Sequence, residues 1–137
     1  MKYWLIKTEP EEWSWQQQVK SGNKGAEWGG VRNFQAAKNL RNMKMNDRCF
    51  FYHTGKSKSI IGIVIVIKEA FLDKSDKTQK FVSVIVKALY PLKREVSLAE
   101  IKKNKVFRDF SLVKQSRLSV MNVSLKHWKK ICKMGKV

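Results

Sequence analysis

Cysteine, histidine and acidic side chains are all scarce in this sequence, and each scarcity removes a class of function. The two cysteines, Cys49 and Cys132, lie in apolar surroundings with no Cys-x-x-Cys or histidine-spaced partner. That pattern excludes a disulfide framework and a zinc cluster, and reads as buried free thiols of a reducing compartment. Two histidines, and no carboxylates at metal-ligand spacing, leave no metal-hydrolase motif. A phosphate-cradling P-loop is missing too, so no cofactor is expected. No run of about eighteen apolar residues occurs, and no segment therefore reads as membrane-spanning. Met1 to Ile6 is apolar but too short for a secretory leader and reads as a first strand. An intracellular location follows, cytoplasmic in a bacterium or nuclear in a eukaryote. At 137 residues the chain is expected to form one domain, residues 1–137, and a monomer.

What is abundant is lysine. The formal charge is +18, from 29 basic against 11 acidic residues, and the pI is near 10.1. Such a surface attracts phosphate, because each neutralised phosphate releases counterions. The excess is carried by 23 Lys against 6 Arg spread along the whole chain. A proteome-wide lysine bias would produce the same pattern, so charge alone marks no site.

Periodicity and punctuation predict the elements. Tyr3 to Lys7 suits an opening strand stopped by Glu9-Pro10. Pro10-Glu11-Glu12 has the form of a helical first turn, and Ser14 caps a turn running to Lys20 before Gly22. Residues 21–30 hold four glycines and predict a loop with Trp28 projecting from it. Asn33 caps a helix with Phe34, Ala37, Leu40 and Met43 on its apolar face. Strands are expected at Asp47 to Tyr52, Ile60 to Ile67 and Phe81 to Leu89, the last ended by Tyr90-Pro91. Ser97 with Glu100 forms a capping box, and short strands are expected at Leu112 to Lys114 and Leu118 to Met121. Ser124 caps a final helix to Met134, with Leu125, Trp128 and Cys132 inward. Strands outnumber helices without regular alternation. The predicted class is α+β, a mostly antiparallel curved sheet or small β-barrel flanked by helices.

Four runs combine large or hydrogen-bonding groups with small ones at predicted element ends, where pockets form. They are Lys7-Thr8-Glu9-Pro10, Trp28-Gly29-Gly30-Val31-Arg32-Asn33, Phe51-Tyr52-His53-Thr54 and Ser116-Arg117-Leu118-Ser119-Val120. A fold that united them would build one composite site. Trp28 offers a face for base stacking, or else packs on the helix that follows it. Asn33 has the donor and acceptor needed to read a base edge, and is equally a good N-cap. Arg32 suits a phosphate or a carboxylate of the fold, Glu9 being the structural partner to expect. Strand alternation sends Tyr52 and Thr54 to one face and His53 to the other. A lone histidine is more often structural than catalytic. Arg117 is the best phosphate contact among the arginines.

The order of these runs, with Asn39-Leu40-Arg41-Asn42-Met43 and Gly62 in an apolar strand, closely resembles the EVE domain family over nearly the whole chain. The resemblance implies a PUA-like fold related to the YTH readers of methylated adenine. It also implies a non-catalytic module that flips a modified base of DNA or RNA into a pocket, such as 5-methylcytosine or its oxidised forms. By that likeness Lys7 and Thr8 match a Lys-Ser pair of the pocket wall, and Val31 and Arg32 lie beside the pocket. Thr54 sits at its rim, and Leu118 supplies apolar wall for a methyl group. The sequence departs from the family pattern at Gly29, usually acidic, at Thr54, usually Ser, and at Met121-Asn122-Val123, which replaces a proline-containing turn. Two other functions fit less of the sequence: a small nucleic-acid-processing enzyme with His53 as general base, and a basic module that binds an acidic protein.

Overall fold

The computed structural model describes residues 1–137. Its chain order is β1 (Tyr3–Thr8), α1 (Trp15–Lys20), β2 (Ala26–Trp28), α2 (Phe34–Asn42), β3 (Arg48–His53), β4 (Ser59–Leu72), β5 (Val82–Ser97), α3 (Leu98–Lys103), α4 (Ser111–Lys114), β6 (Val120–Val123) and α5 (Leu125–Met134). The six strands make one sheet in the order β2-β5-β4-β3-β1-β6. Only β1 with β3 is parallel. The outer strands β2 and β6 do not pair with each other, so the sheet curves without closing. Curvature comes from register shifts: one between β3 and β4 and four between β4 and β5. Each shift inserts unpaired backbone on one strand and increases local twist.

Capping explains the helix starts. Ser14 and Ser97 form complete capping boxes with Gln17 and Glu100, and Asn33 and Ser124 accept from the third amide of their helices. Each cap satisfies a backbone donor that has no partner inside the helix. The core lies between the curved sheet and the helices. Trp128 of α5 stacks on Phe50 at 3.8 Å and on Tyr3 at 4.5 Å. At that end, buried Asp47 accepts from Lys2 N, Trp4 Nε1 and Lys44 N, each at 3.0 Å.

Five local expectations need correction. Trp28 does not project from a loop: it ends β2 and is 8% exposed, because its three-residue strand pairs with β5 and its ring meets Phe51 edge-on. The strand β5 does not stop at Tyr90-Pro91 but runs on to Ser97, Pro91 sitting at a register shift opposite Gly62. A proline there removes one donor where the ladder is already irregular. Leu112 to Lys114 is helical, since the carbonyl of Phe110 accepts from Val113 and Lys114 and nothing pairs the segment as a strand. Phe34 faces solvent, its ring tilted against Phe81 at 5.2 Å, and Leu125 is half exposed, each at the first turn of its helix.

Candidate functional site

Three chain segments converge at one end of the sheet. The parallel strands β1 and β3 end side by side at Thr8 and His53, and Thr54 N donates to Thr8 O at 2.9 Å. The antiparallel β6 begins there, so the preceding Ser116 to Ser119 segment lies against them, with Lys7 N donating to Ser119 O at 2.9 Å. The path from β2 to α2 completes the rim. Registry of β1 thus unites the runs at the ends of β1 and β3 and before β6, and the curvature of the sheet brings the β2–α2 run to them from the other edge.

A cavity of about 450 Å³ opens at this junction, lined from Lys7 and Thr8, from Glu12 and Trp13, from Glu27 through Arg32, and by Ser119. Five of the predicted residues, Lys7, Thr8, Trp28, Val31 and Arg32, are brought together here. Trp28 and Val31 are both mostly buried. Trp13 is half-buried, its indole Nε1 donating to Gln18 Oε1 at 2.8 Å. Two indoles therefore share one cavity with two carboxylates, Glu12 and Glu27. Glu27 Oε2 accepts from Ser83 Oγ at 3.1 Å; a carboxylate in such a setting can also accept from an exocyclic amine, and an indole can offer a π-face.

The rim is fastened by Asp73, just beyond β4. One carboxylate oxygen accepts from Gly30 N at 2.7 Å and from Arg32 Nη1 at 3.0 Å, and the other from Ser75 N at 2.9 Å and Ser75 Oγ at 2.7 Å. Burial by itself raises the Asp73 pKa, but the hydrogen bonds from Ser75, Gly30 and Arg32 outweigh it and hold the carboxyl well below the usual range. Arg32 also donates to Ser75 Oγ at 2.9 Å, with its guanidinium 5.2 Å from the Phe81 ring. Its structural partner is thus Asp73, not Glu9. Close approach explains Gly29: a Cβ there would strike Ser83 Oγ and come within 3.1 Å of Asp73 Oδ2. An acidic side chain at that position would meet Asp73 like against like.

The other predicted residues lie around this cavity. Asn33 Oδ1 accepts from Ala36 N at 2.9 Å as an N-cap, and with Arg117 and Leu118 the residue lines a shallow depression. Arg117 is exposed, and Leu118 is buried. Tyr52 and Thr54 line a further cavity on the other side of Lys7. Burial pushes the Tyr52 hydroxyl up to about 12. His53 lines none of these spaces. Its Nε2 accepts from Trp15 N at 3.2 Å, and burial lowers its pKa despite the opposing pull of Glu95.

Sequence reasoning missed Glu12, Trp13, Glu27 and Asp73. Trp13 reads as scaffold from its spacing, yet it follows the end of β1 by five residues, where a turn returns the chain to the site. Asp73 had no sequence signal beyond its place in a polar loop.

The comparisons agree with this geometry. Residues 2–134 match the EVE domain family. Thymocyte nuclear protein 1 of Danio rerio is 30% identical over 85% of this chain and 64% of its own length. The chain spans between about a third and two thirds of the thymocyte nuclear proteins it matches. A solved protein of Rhodopseudomonas palustris is 46% identical with a TM-score of 0.94, covering 99% of this chain and 94% of that one. Human THYN1 protein in complex with 5-methylcytosine-containing DNA is 26% identical with a TM-score of 0.88, covering 100% and 99%. From the shared PUA-like fold and the match along nearly its whole length, this chain belongs to the EVE domain family.

Proposed function

We propose that this chain is a non-catalytic nucleic-acid-binding module that takes a modified base, extruded from its strand, into the cavity between Trp13, Trp28 and the end of β1. The observation that carries the reading is that cavity, one space lined by two tryptophans, two glutamates and Lys7. Stacking contributes about 1–3 kcal/mol per base, and extrusion costs a few kcal/mol, so phosphate contacts must supply the remainder. A cytosine bearing a 5-methyl or oxidised 5-methyl group suits the site: its N4 amine donates to a carboxylate and its substituted edge meets apolar wall. The human relative solved with 5-methylcytosine DNA supports the same ligand class. Against an enzyme using His53 stands its geometry, since the ring nitrogen a general base would use is occupied by Trp15 N–H.

The test is fluorescence-anisotropy binding to matched single- and double-stranded DNA and RNA, with and without 5-methyl- or 5-hydroxymethylcytosine, at two salt concentrations. Tighter binding to a modified strand, with the preference abolished in Trp28→Ala and reduced in Trp13→Ala, is the expected outcome. Equal affinity for modified and unmodified strands would sink the reading.

A further inference from the structure

Beside the base cavity, on the far side of Lys7, lies a second one of about 260 Å³. Three lysines, Lys7, Lys58 and Lys102, line it, and no acidic residue does. Leu98, Leu112 and Val113 line the same space, and an apolar lining lowers the local dielectric and strengthens attraction for an anion. The remaining wall is made for hydrogen bonding. Tyr52 and Thr54 line it, and the Thr54 hydroxyl is enclosed without any hydrogen-bond partner. An enclosed hydroxyl left unpaired costs free energy that a ligand acceptor would recover after rotation about χ1. Lys7 is held in place by donating from Nζ to Ser116 O at 3.0 Å, and it lies 5.7 Å from the centre of the Tyr52 ring. Lys58 occupies left-handed backbone with φ 41°, and its carbonyl accepts from Leu98 N at 2.8 Å. Non-glycine residues held in that conformation concentrate at functional sites.

From this arrangement we propose that the cavity of Lys7, Lys58, Lys102, Tyr52, Thr54 and Ser116 is a phosphate site for a backbone phosphate of the strand whose modified base enters the neighbouring cavity. It rests on the base-binding reading. Lys7 lines both spaces, so a single side chain separates base from phosphate. The lysines of α5 lie elsewhere, since that helix is beyond the opposite end of β1, where Tyr3 pairs with Val123.

Lys58→Ala/Lys102→Ala is compared with Lys126→Ala/Lys129→Ala, an equal loss of charge on α5, in anisotropy titrations with a 5-methylcytosine strand and its unmodified match. The expected result is a loss of roughly 5–20-fold for the first pair at low salt, and a salt slope flatter by up to about 1, from the one phosphate contact removed. The control pair should change affinity by less than about 2-fold. The ratio of methylated to unmethylated binding should be unchanged, and Lys58→Arg/Lys102→Arg should restore affinity in a protein that folds. Equal losses from the two pairs would overturn the site, showing charge that acts diffusely. A selective loss in a protein with no preference for the modified strand would uphold the phosphate site and remove the base reading instead. Amide shifts of Thr54 and Gly55 on adding the oligonucleotide are the second expected readout. Shifts with inorganic phosphate but none with the oligonucleotide would overturn the assignment to a nucleic-acid backbone.

Discussion

At the residue scale, roles are set by what each polar atom already holds. His53 gives its Nε2 lone pair to Trp15 N–H, and protonation would break that bond. Its folded pKa is lowered, so the unfolded chain binds the proton first as pH falls. Stability contributed by neutral His53 is present above the ordinary value of 6.5 and is lost as pH drops from there through the lowered folded value. Thermal melts between pH 7 and 5 should therefore show a decline that is shallower in His53→Gln. Asp73 is likewise held deprotonated, but as an anion. Its carboxylate holds Gly30 and Arg32 at the cavity rim, and Asp73→Asn should lower stability by about 1–3 kcal/mol and weaken binding of the modified strand. A variant that melts like the wild type and binds equally well would show that the rim needs no anion.

Elements place those residues. Gly62 of β4 lies under Trp15 of α1, and a Cβ there would come 2.5 Å from the indole. Gly62→Ala must displace that ring, which packs edge-on to Phe51 at 5.2 Å, and Phe51 in turn meets Trp28 at 5.7 Å. Overpacking of this kind costs about 1–3 kcal/mol. The melting temperature should fall, and Trp28 fluorescence should shift with it. A melt unchanged from wild type would mean that α1 moves freely over the sheet. Ser124 illustrates the capping logic at the other end: replacing it with Ala should cost roughly 1 kcal/mol, read by denaturant unfolding, while leaving binding intact.

Over the whole molecule, charge and acid stability are linked. The loop after β4 is held by two aspartates whose pKa values are depressed: Asp73, and Asp76 lowered to about 2, chiefly by the hydrogen bond from Thr78 with further ones from backbone amides. A depressed carboxylate adds stability above its unfolded value of 3.8, and that contribution is lost as pH falls through the folded value. Acid unfolding of the wild type should steepen between pH 3.8 and about 2, and Asp73→Asn/Asp76→Asn should flatten that limb. A net charge of +18 adds general repulsion within the same compact fold. Added salt should therefore stabilise the free protein while weakening the nucleic-acid binding proposed for it.

Local chemistry is what the sequence by itself determined. The caps at Ser14, Asn33, Ser97 and Ser124, the apolar β4 and the mixed α+β class were all legible, because a cap or a strand depends on neighbours within a few residues. The family resemblance was legible as well, since it rests on ordered short runs. Only the tertiary structure decided how those runs divide. Pairing β1 parallel to β3 and antiparallel to β6, with β2 on β5 at the other edge of a curved sheet, left Trp28 and Arg32 on one side of Lys7 and Tyr52 and Thr54 on the other, and Trp13 at the cavity and Asp73 at its rim were marked by nothing local. Register across a sheet couples residues far apart in the chain, so which side of Lys7 a group faces is a property of the assembled strands and not of any run alone.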